Sequence, residues 1–204
     1  MLPLLRVVLF GLTSAAAPIG AADPDVFRNP TAGFEVAKPD IWQYATADFT
    51  QQNLRATKLS DQDLQAAMLK YATTPMVAMM KYPEPYEDLN PSFKVNIKPL
   101  GGLKGRSATE IISVLLPHFE KAFKDYKLVQ PPMEVELSGL TGSYVRINYS
   151  LITADDQAFP TTSELWIVPR GEYFFMIGAG TRQDERTGSR KEIQDILKTV
   201  RIDH

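Results

Sequence analysis

The sequence SELWIVPRGEYFFMIGAG, from Ser163 to Gly180, contains two candidate β-strands separated by the short turn Pro169-Arg170-Gly171. The second strand, Glu172 to Ala179, is apolar on both of its faces. A strand of this kind is typical of the interior of a sheet that is covered on both sides. One face would carry Tyr173, Phe175 and Ile177, and the other face would carry Phe174 and Met176.

Further strands and an early helix are predicted on the N-terminal side of this pair. Alternating apolar and polar residues indicate the strands, and apolar residues at helical spacing indicate the helix. The predicted strands are Gly33 to Lys38, Trp42 to Ala45, Met76 to Tyr82, Phe93 to Leu100, Met133 to Leu137, Tyr144 to Ile152 and Thr161 to Val168. The early helix follows Ser60-Asp61-Gln62-Asp63 and carries Leu64, Ala67, Met68 and Tyr71 on its apolar side.

The clearest helix is predicted to begin at Ser107, because Glu110 three residues later completes a capping-box pattern. Pro117 lies inside this helix, and we expect a kink there because proline removes a backbone donor and clashes with the preceding turn. The apolar stripe of this helix is Ile111, Ile112, Leu115, Phe119, Ala122, Phe123 and Tyr126. A last helix is predicted after Ser189, with Ile193, Ile196, Leu197 and Val200 on its apolar side.

The order of these elements predicts the fold class. Short connections between consecutive strands favour antiparallel pairing, and helices between and after the strands can cover both faces of the sheet. We therefore predict an α/β fold, an α-β-α sandwich around a twisted, mostly antiparallel sheet. With 44% hydrophobic and 23% charged residues, the composition is typical of one globular domain.

The N-terminus MLPLLRVVLFGLTSAAAPIGAADPDVF has the pattern of a secretory signal peptide. Arg6 supplies the positive charge, Val7 to Leu12 the apolar run, and Gly20-Ala21-Ala22 the small residues of a cleavage site. Cleavage after Ala22 would divide the chain into a signal peptide, 1–22, and a single domain, 23–204. An uncleaved anchor is the alternative, although the apolar segment is shorter than the about 20 residues of a membrane span.

The absence of cysteine from the 204 residues excludes disulfides, a thiolate nucleophile and a thiolate metal site. The formal charge of −2 gives no basic excess that would indicate nucleic-acid binding. Together with the signal peptide, these features predict a bacterial periplasmic or secreted protein without a membrane span after cleavage.

Four stretches of the sequence resemble a known family. They are GFEVAKPDIW (33–42), LSGLTGSYVRINY (137–149), SELWIVPRGEYFFMIGAG (163–180) and EIQDILKTVRI (192–202). In this order they resemble the Mog1/PsbP-like superfamily, whose bacterial members are small secreted α-β-α domains. The superfamily also includes a photosystem extrinsic subunit and a nuclear-transport GTPase cofactor. The resemblance implies the fold and assigns no functional residue, because a fold does not determine a function.

Trp42 follows the first predicted strand, after the turn at Pro39 and Asp40. A tryptophan buries a large area and can close one end of a core when its N–H finds a hydrogen-bond partner. We interpret Trp42 as such a structural plug rather than as part of a binding site.

The segment YPEPYEDLNP, Tyr82 to Pro91, is the best candidate for interaction with another molecule. Prolines hold such a loop extended, and tyrosines are common contact residues in protein interfaces. We predict Tyr82 and Tyr86 as binding residues. The alternative is a plain hairpin loop whose tyrosines fold inward.

Other polar residues favour structural roles. His118 has no carboxylate three or four residues away, so it lacks local metal ligands. The acidic pairs Glu87-Asp88 and Asp155-Asp156 are predicted to lie in solvated turns. The segment Gly101 to Arg106 could hold an anion before the Ser107 helix, but a flexible connection is the simpler interpretation.

Arg146, Asn148 and Glu164 are polar positions within strands that otherwise have a buried pattern. They either line a pocket or lie at a partly exposed edge of the sheet, and we favour the edge.

These observations predict an exported, non-catalytic domain that binds a protein partner or assembly in the cell envelope. No catalytic residue, metal or cofactor is predicted, and the oligomeric state is left open. One alternative is a carrier of a lipid or other apolar small ligand, which a deep apolar cavity would favour. A second alternative is a hydrolytic enzyme using His118, which a cleft holding this residue near a carboxylate would favour.

Overall fold

The computed structural model describes residues 25–46, 48, 52, 55, 57–62, 65–66, 74–184 and 189–203. The predicted signal peptide, 1–22, lies outside the described residues, as do Leu64, Ala67, Met68 and Tyr71 of the early helix.

The described strands and helices follow one another along the chain in the predicted order. The strands are β1 (Val26–Asn29), β2 (Phe34–Ala37), β3 (Gln43–Tyr44), β4 (Thr57–Lys58), β5 (Val77–Met80), β6 (Ser92–Pro99), β7 (Lys124–Leu137), β8 (Leu140–Thr153), β9 (Ala158–Arg170), β10 (Tyr173–Arg182) and β11 (Arg201–Ile202). A 3-10 helix (Gly101–Leu103) and the helix α1 (Ala108–Ala122) lie between β6 and β7, and α2 (Ser189–Thr199) lies between β10 and β11.

Within the described part of the chain, eight strands form one sheet in the order β3-β5-β6-β10-β9-β8-β4, and β7 also pairs with β8. Neighbouring strands in this sheet pair antiparallel. The predicted α/β fold with a mostly antiparallel sheet is confirmed.

The first predicted strand does not join the large sheet. It forms β2, which lies between β1 and β11 in a smaller three-stranded sheet. The C-terminal strand β11 pairs with it, so that Ile202 lies opposite Phe34 and Arg201 lies opposite Glu35. The expectation of one central sheet was wrong in this respect.

Strand β10 lies between β6 and β9 and is apolar on both faces, as predicted. Phe175 and Ile177 belong to one buried cluster, which includes Ile193 and Ile196 of α2. The opposite face contributes to a second cluster, because successive side chains of a strand point to opposite sides. Phe174 packs there with Ile111 and Ile112 of α1, and Met176 is partly buried against them.

Helix α1 begins as predicted, because the Ser107 hydroxyl accepts a hydrogen bond from the Glu110 N–H and the Glu110 carboxylate accepts one from the Ser107 N–H. It ends earlier than predicted, at Ala122. Tyr126 therefore lies in β7 and not on the helix. Lys124 already pairs with Ser150 of β8, and this pairing ends the helix. The kink at Pro117 stays a prediction.

Strand β7 is longer than the predicted Met133 to Leu137 and includes Pro131 and Pro132. Among the described strands its neighbour is β8, with register shifts between Leu128 and Met133. Prolines are tolerated at such an edge because a missing N–H there breaks few ladder bonds.

Candidate functional site

Residues 82–91, here called the tyrosine loop, connect β5 to β6. The rings of Tyr82 and Tyr86 stack with their centroids 4.5 Å apart and their planes at 18°. Tyr82 is half-buried, whereas the Tyr86 side chain is 37% exposed. The loop therefore presents one aromatic face to solvent and supports it with a second ring from behind.

Side chains within the tyrosine loop hold its backbone in place. The Asn90 amide donates to the Tyr82 carbonyl at 2.9 Å, and its carbonyl oxygen accepts from the Tyr82 N–H at 3.0 Å. Glu84 accepts from the Asn90 amide at 2.7 Å and from the Tyr86 N–H at 2.8 Å. These bonds fix the two ends of the loop and the backbone at Tyr86.

Arg182 ties the tyrosine loop to the end of β10. Its guanidinium forms ion pairs with Asp88 of the loop and, through Nε at 2.9 Å, with Asp184. The hydrogen bonds to Asp184 and Asp88 raise the pKa of Arg182. The Arg182 side chain also lines an adjacent open cleft, so this one side chain contacts both the loop and the cleft.

This opening, here called the arginine cleft, has a volume of about 500 Å³. Most of its lining residues lie on β8, in the first half of β9, at the end of β10 and in the first two turns of α2. Polar side chains of all four elements line it, including Arg146, Asn148, Thr162, Arg182, Arg190 and Gln194. The larger described opening is therefore polar and basic.

The position of Arg146 and Asn148 corrects the preference for a sheet edge. Both lie on β8, which is paired with β9 on one side and with β4 and β7 on the other. They are interior residues of the sheet that face the arginine cleft, and Glu164 on β9 is only 2% exposed. The sequence could not distinguish these cases, because an interior strand beside a polar cleft and an edge strand show the same polar interruption.

Glu164 organises a buried polar group beside the cleft. Its Oε1 accepts from the Tyr144 hydroxyl at 2.5 Å and lies 3.4 Å from both Arg190 Nε and Gln194 Nε2. Its Oε2 is buried without a hydrogen-bond partner among the described residues. Burial, together with the hydrogen bond to Glu164, raises the pKa of Tyr144 to about 12.

Trp42 is 1% exposed and packs in the cluster of Phe175, as the plug interpretation predicts. Its indole N–H donates to Glu192 Oε2 of α2 at 2.9 Å. The other oxygen of Glu192 pairs at 2.8 Å with Lys81 Nζ, and Lys81 is 8% exposed. Burial opposes the charge of Lys81, but the bond and ion pair to Glu192 prevail and raise its pKa. This network fixes α2 beside the start of the tyrosine loop.

The other candidate residues lie apart from this region. His118 is exposed on α1, and within the described residues it has no hydrogen-bond or ion-pair partner. Asp155 and Asp156 lie in the turn after β8, where Asp156 pairs with Lys58 at 2.6 Å. Lys104 of the glycine-containing connection pairs with Glu172 at 2.8 Å. No group of three or more metal-binding side chains is found in the described ranges.

A second, smaller opening of about 260 Å³ lies beside β3 and β5. Phe27, Met76 and Val77 are among its lining residues, so its character is more apolar.

In the part of the chain that the structure covers, no helix has both the length and the apolar character needed to cross a membrane.

Comparison with known proteins finds similarity in structure. No protein-family model matches the chain, and no curated protein matches it by sequence. Cyanobacterial PsbP (CyanoP) from Synechocystis sp. PCC 6803 superposes with a TM-score of 0.52 at 11% identity, covering 95% of this chain and 100% of that one. LpqN of Mycobacterium tuberculosis, which is involved in cell envelope biogenesis, gives a TM-score of 0.50 at 13% identity over 90% of this chain and 87% of its own.

The chain has a Mog1/PsbP-like fold. The Ran-binding protein Mog1p of Saccharomyces cerevisiae is also similar, with a TM-score of 0.48 at 8% identity over 87% of this chain and 94% of that one. The similarity to cyanobacterial PsbP and to LpqN confirms the resemblance drawn from the sequence at the level of the fold. At these identities the Mog1/PsbP-like fold does not name a partner or a functional residue.

Proposed function

We propose that the chain is an exported, non-catalytic domain that binds a protein partner or assembly in the cell envelope through the tyrosine loop. The observation that carries this proposal is the stacked pair of Tyr82 and Tyr86 with Tyr86 facing solvent. Tyrosine is enriched at protein interfaces because it offers a large apolar ring and a hydroxyl group.

Preorganisation of the loop supports the proposal. Asn90 and Glu84 fix its backbone, and Arg182 anchors Asp88 from the neighbouring strand. A loop that is already ordered loses less conformational entropy when a partner binds. Export is supported by the signal-peptide pattern of residues 1–22.

We also propose that the domain is an α-β-α sandwich without catalytic chemistry of its own. Helices α1 and α2 contribute to the two clusters that meet at β10, which supports the sandwich. His118, on which the hydrolytic alternative depends, lies on α1 and away from the arginine cleft. A carrier of apolar ligands is not favoured, because the larger cleft is polar and the more apolar opening, at about 260 Å³, is smaller than most ligand pockets.

Site-specific photocrosslinking tests the protein-binding role. A photoreactive phenylalanine analogue replaces Tyr86 in the full-length chain, which is expressed in its own host so that export and assembly proceed normally. The matched control carries the same analogue at Val114, which is 40% exposed on α1. We expect a discrete crosslinked protein from position 86 and none from position 114.

Affinity capture with the unmodified chain and the Tyr86→Ala variant then asks whether the crosslinked protein depends on the aromatic ring. We expect its recovery to fall by about tenfold or more, as is usual for an exposed aromatic anchor. Equal crosslinking from both positions, or equal recovery with Tyr86→Ala, would contradict the proposal. Recovery of lipid instead of protein in the same capture would favour the carrier.

A further inference from the structure

We propose that the arginine cleft is an oxyanion-binding site in which Arg146 holds a carboxylate or phosphate group. This inference is independent of protein binding by the tyrosine loop. It depends on an imbalance between hydrogen-bond donors and acceptors in the cleft.

Most cationic side chains of the cleft already have acidic partners. Arg182 pairs with Asp88 and Asp184, Arg190 lies 3.4 Å from Glu164, and Lys191 pairs with Asp195 at 2.7 Å. These ion pairs offset the positive charges of Arg182, Arg190 and Lys191. A ligand charge would therefore have to be matched by a cation that is not already paired.

Arg146 is that cation. Its side chain lines the cleft from an interior strand and is only partly exposed. Within the described ranges, its guanidinium has no hydrogen-bond or ion-pair partner. Its cross-strand neighbour is Glu164, whose Oε1 accepts from the Tyr144 hydroxyl and whose Oε2 is buried and makes no hydrogen bond to Arg146. A guanidinium held in a cleft without an acceptor favours a ligand that supplies one.

Asn148 adds a second available donor two residues along the same strand face. The Thr162 hydroxyl donates to Asn148 Oδ1 at 2.8 Å and thereby directs the amide nitrogen away from Thr162. Among the residues that the structure describes, this nitrogen has no acceptor. The guanidinium of Arg146 and the amide of Asn148 therefore offer adjacent donors to one group.

The donor set identifies the class of ligand. A planar guanidinium matches the two oxygens of a carboxylate or phosphate, and a neighbouring amide N–H can bond a third acceptor. The single acidic side chain among the described lining residues, Asp184, is occupied by Arg182. The cleft volume of about 500 Å³ leaves room for a small molecule or chain end that carries the oxyanion.

The test uses sodium phosphate and sodium citrate as separate probes, titrated into the full chain at low ionic strength. Binding is followed by calorimetry and by backbone amide shifts in two-dimensional NMR. We expect saturable binding of at least one probe, with the shifts concentrated at Arg146, Asn148 and Thr162. Saturation by phosphate or by citrate would distinguish the two kinds of oxyanion, and either result supports the site.

Substitutions locate the interaction. We expect Arg146→Gln to weaken binding by about tenfold or more, because it removes a charge-assisted bond. Asn148→Asp should weaken it similarly by placing a negative charge beside the ligand. The matched control is Arg106→Gln, because Arg106 is an exposed arginine before α1, outside the cleft. It should leave affinity unchanged.

The NMR spectra also show whether each variant keeps the fold, so a loss of binding is interpreted only for a folded protein. The inference is overturned if neither probe shifts the cleft residues, or if Arg106→Gln weakens binding as much as Arg146→Gln. It is equally overturned if both cleft variants, folded, bind as tightly as the unmodified chain.

Discussion

Trp42 joins the N-terminal segment to α2 through a single hydrogen bond from its indole to Glu192. Replacement by Phe would keep most of the apolar contact but leave a partly buried carboxylate oxygen without this donor. We expect Trp42→Phe to lower the free energy of unfolding by about 1–3 kcal/mol, measured by urea denaturation. The adjacent Ile41→Ala is the control, because Ile41 is 63% exposed. Equal stability of the two variants would show that the bond to Glu192 contributes nothing.

Tyr144 makes stability depend on pH in the alkaline range. Its pKa is raised from 10 to about 12 in the folded protein, chiefly by burial and then by Glu164. The folded state therefore retains a proton that the unfolded state loses between these values. This contribution is complete below pH 10 and is lost as the pH rises towards 12, at up to about 1.4 kcal/mol per pH unit.

The Tyr144→Phe variant isolates this effect. The free energy of unfolding of both proteins is measured by urea denaturation at several pH values from neutral to the alkaline limit. We expect the unmodified chain to lose stability more steeply than Tyr144→Phe above pH 10. Other tyrosines also have a raised pKa, so the variant should keep a residual slope. Parallel curves for the two proteins would contradict the assignment.

Individual elements differ in how well the sequence predicts them. The start of α1 was predictable because Ser107 and Glu110 are three residues apart and bond each other. Strand β10 was predictable because a short run that is apolar on both faces and follows the turn Pro169-Arg170-Gly171 is visible within ten residues. The bond between Arg182 and Asp88 joins residues 94 positions apart, and no local pattern indicates it. A pocket at Arg146 and Asn148 was only the less favoured alternative, because a polar interruption in a strand also fits a sheet edge.

The tyrosine loop gives a prediction at the level of an element. Asp88→Asn would weaken its anchor to Arg182, and we expect faster amide hydrogen exchange across residues 82–89. Global stability should change by less than about 1 kcal/mol, because the ion pair is partly exposed. The control is Glu172→Gln, which breaks the exposed pair with Lys104. Unchanged exchange in the tyrosine loop of Asp88→Asn would show that Asn90 and Glu84 suffice to hold it.

At the scale of the whole molecule, strand β10 contributes side chains to both buried clusters. Phe175 is fully buried in the cluster with α2, and Phe174, 6% exposed, is buried in the cluster with α1. Because the two side chains are neighbours on β10, loss of packing on one face should be transmitted through the backbone of the strand to the other. The Mog1/PsbP-like fold would then unfold as one cooperative unit.

The tryptophans allow this coupling to be measured. Trp42 and Trp166 both lie in the cluster of Phe175, so their fluorescence reports on that face, whereas circular dichroism reports on the whole chain. We expect Phe174→Ala to lower the free energy of unfolding by about 3–5 kcal/mol. The fluorescence and dichroism transitions should shift to the same lower midpoint, although Phe174 lies on the face of β10 opposite the tryptophans. The control is Val114→Ala on the exposed side of α1, which should leave the midpoints of both transitions unchanged. A fluorescence transition that stays at the original midpoint while the dichroism transition broadens would show that the faces unfold separately, and β10 would not couple them.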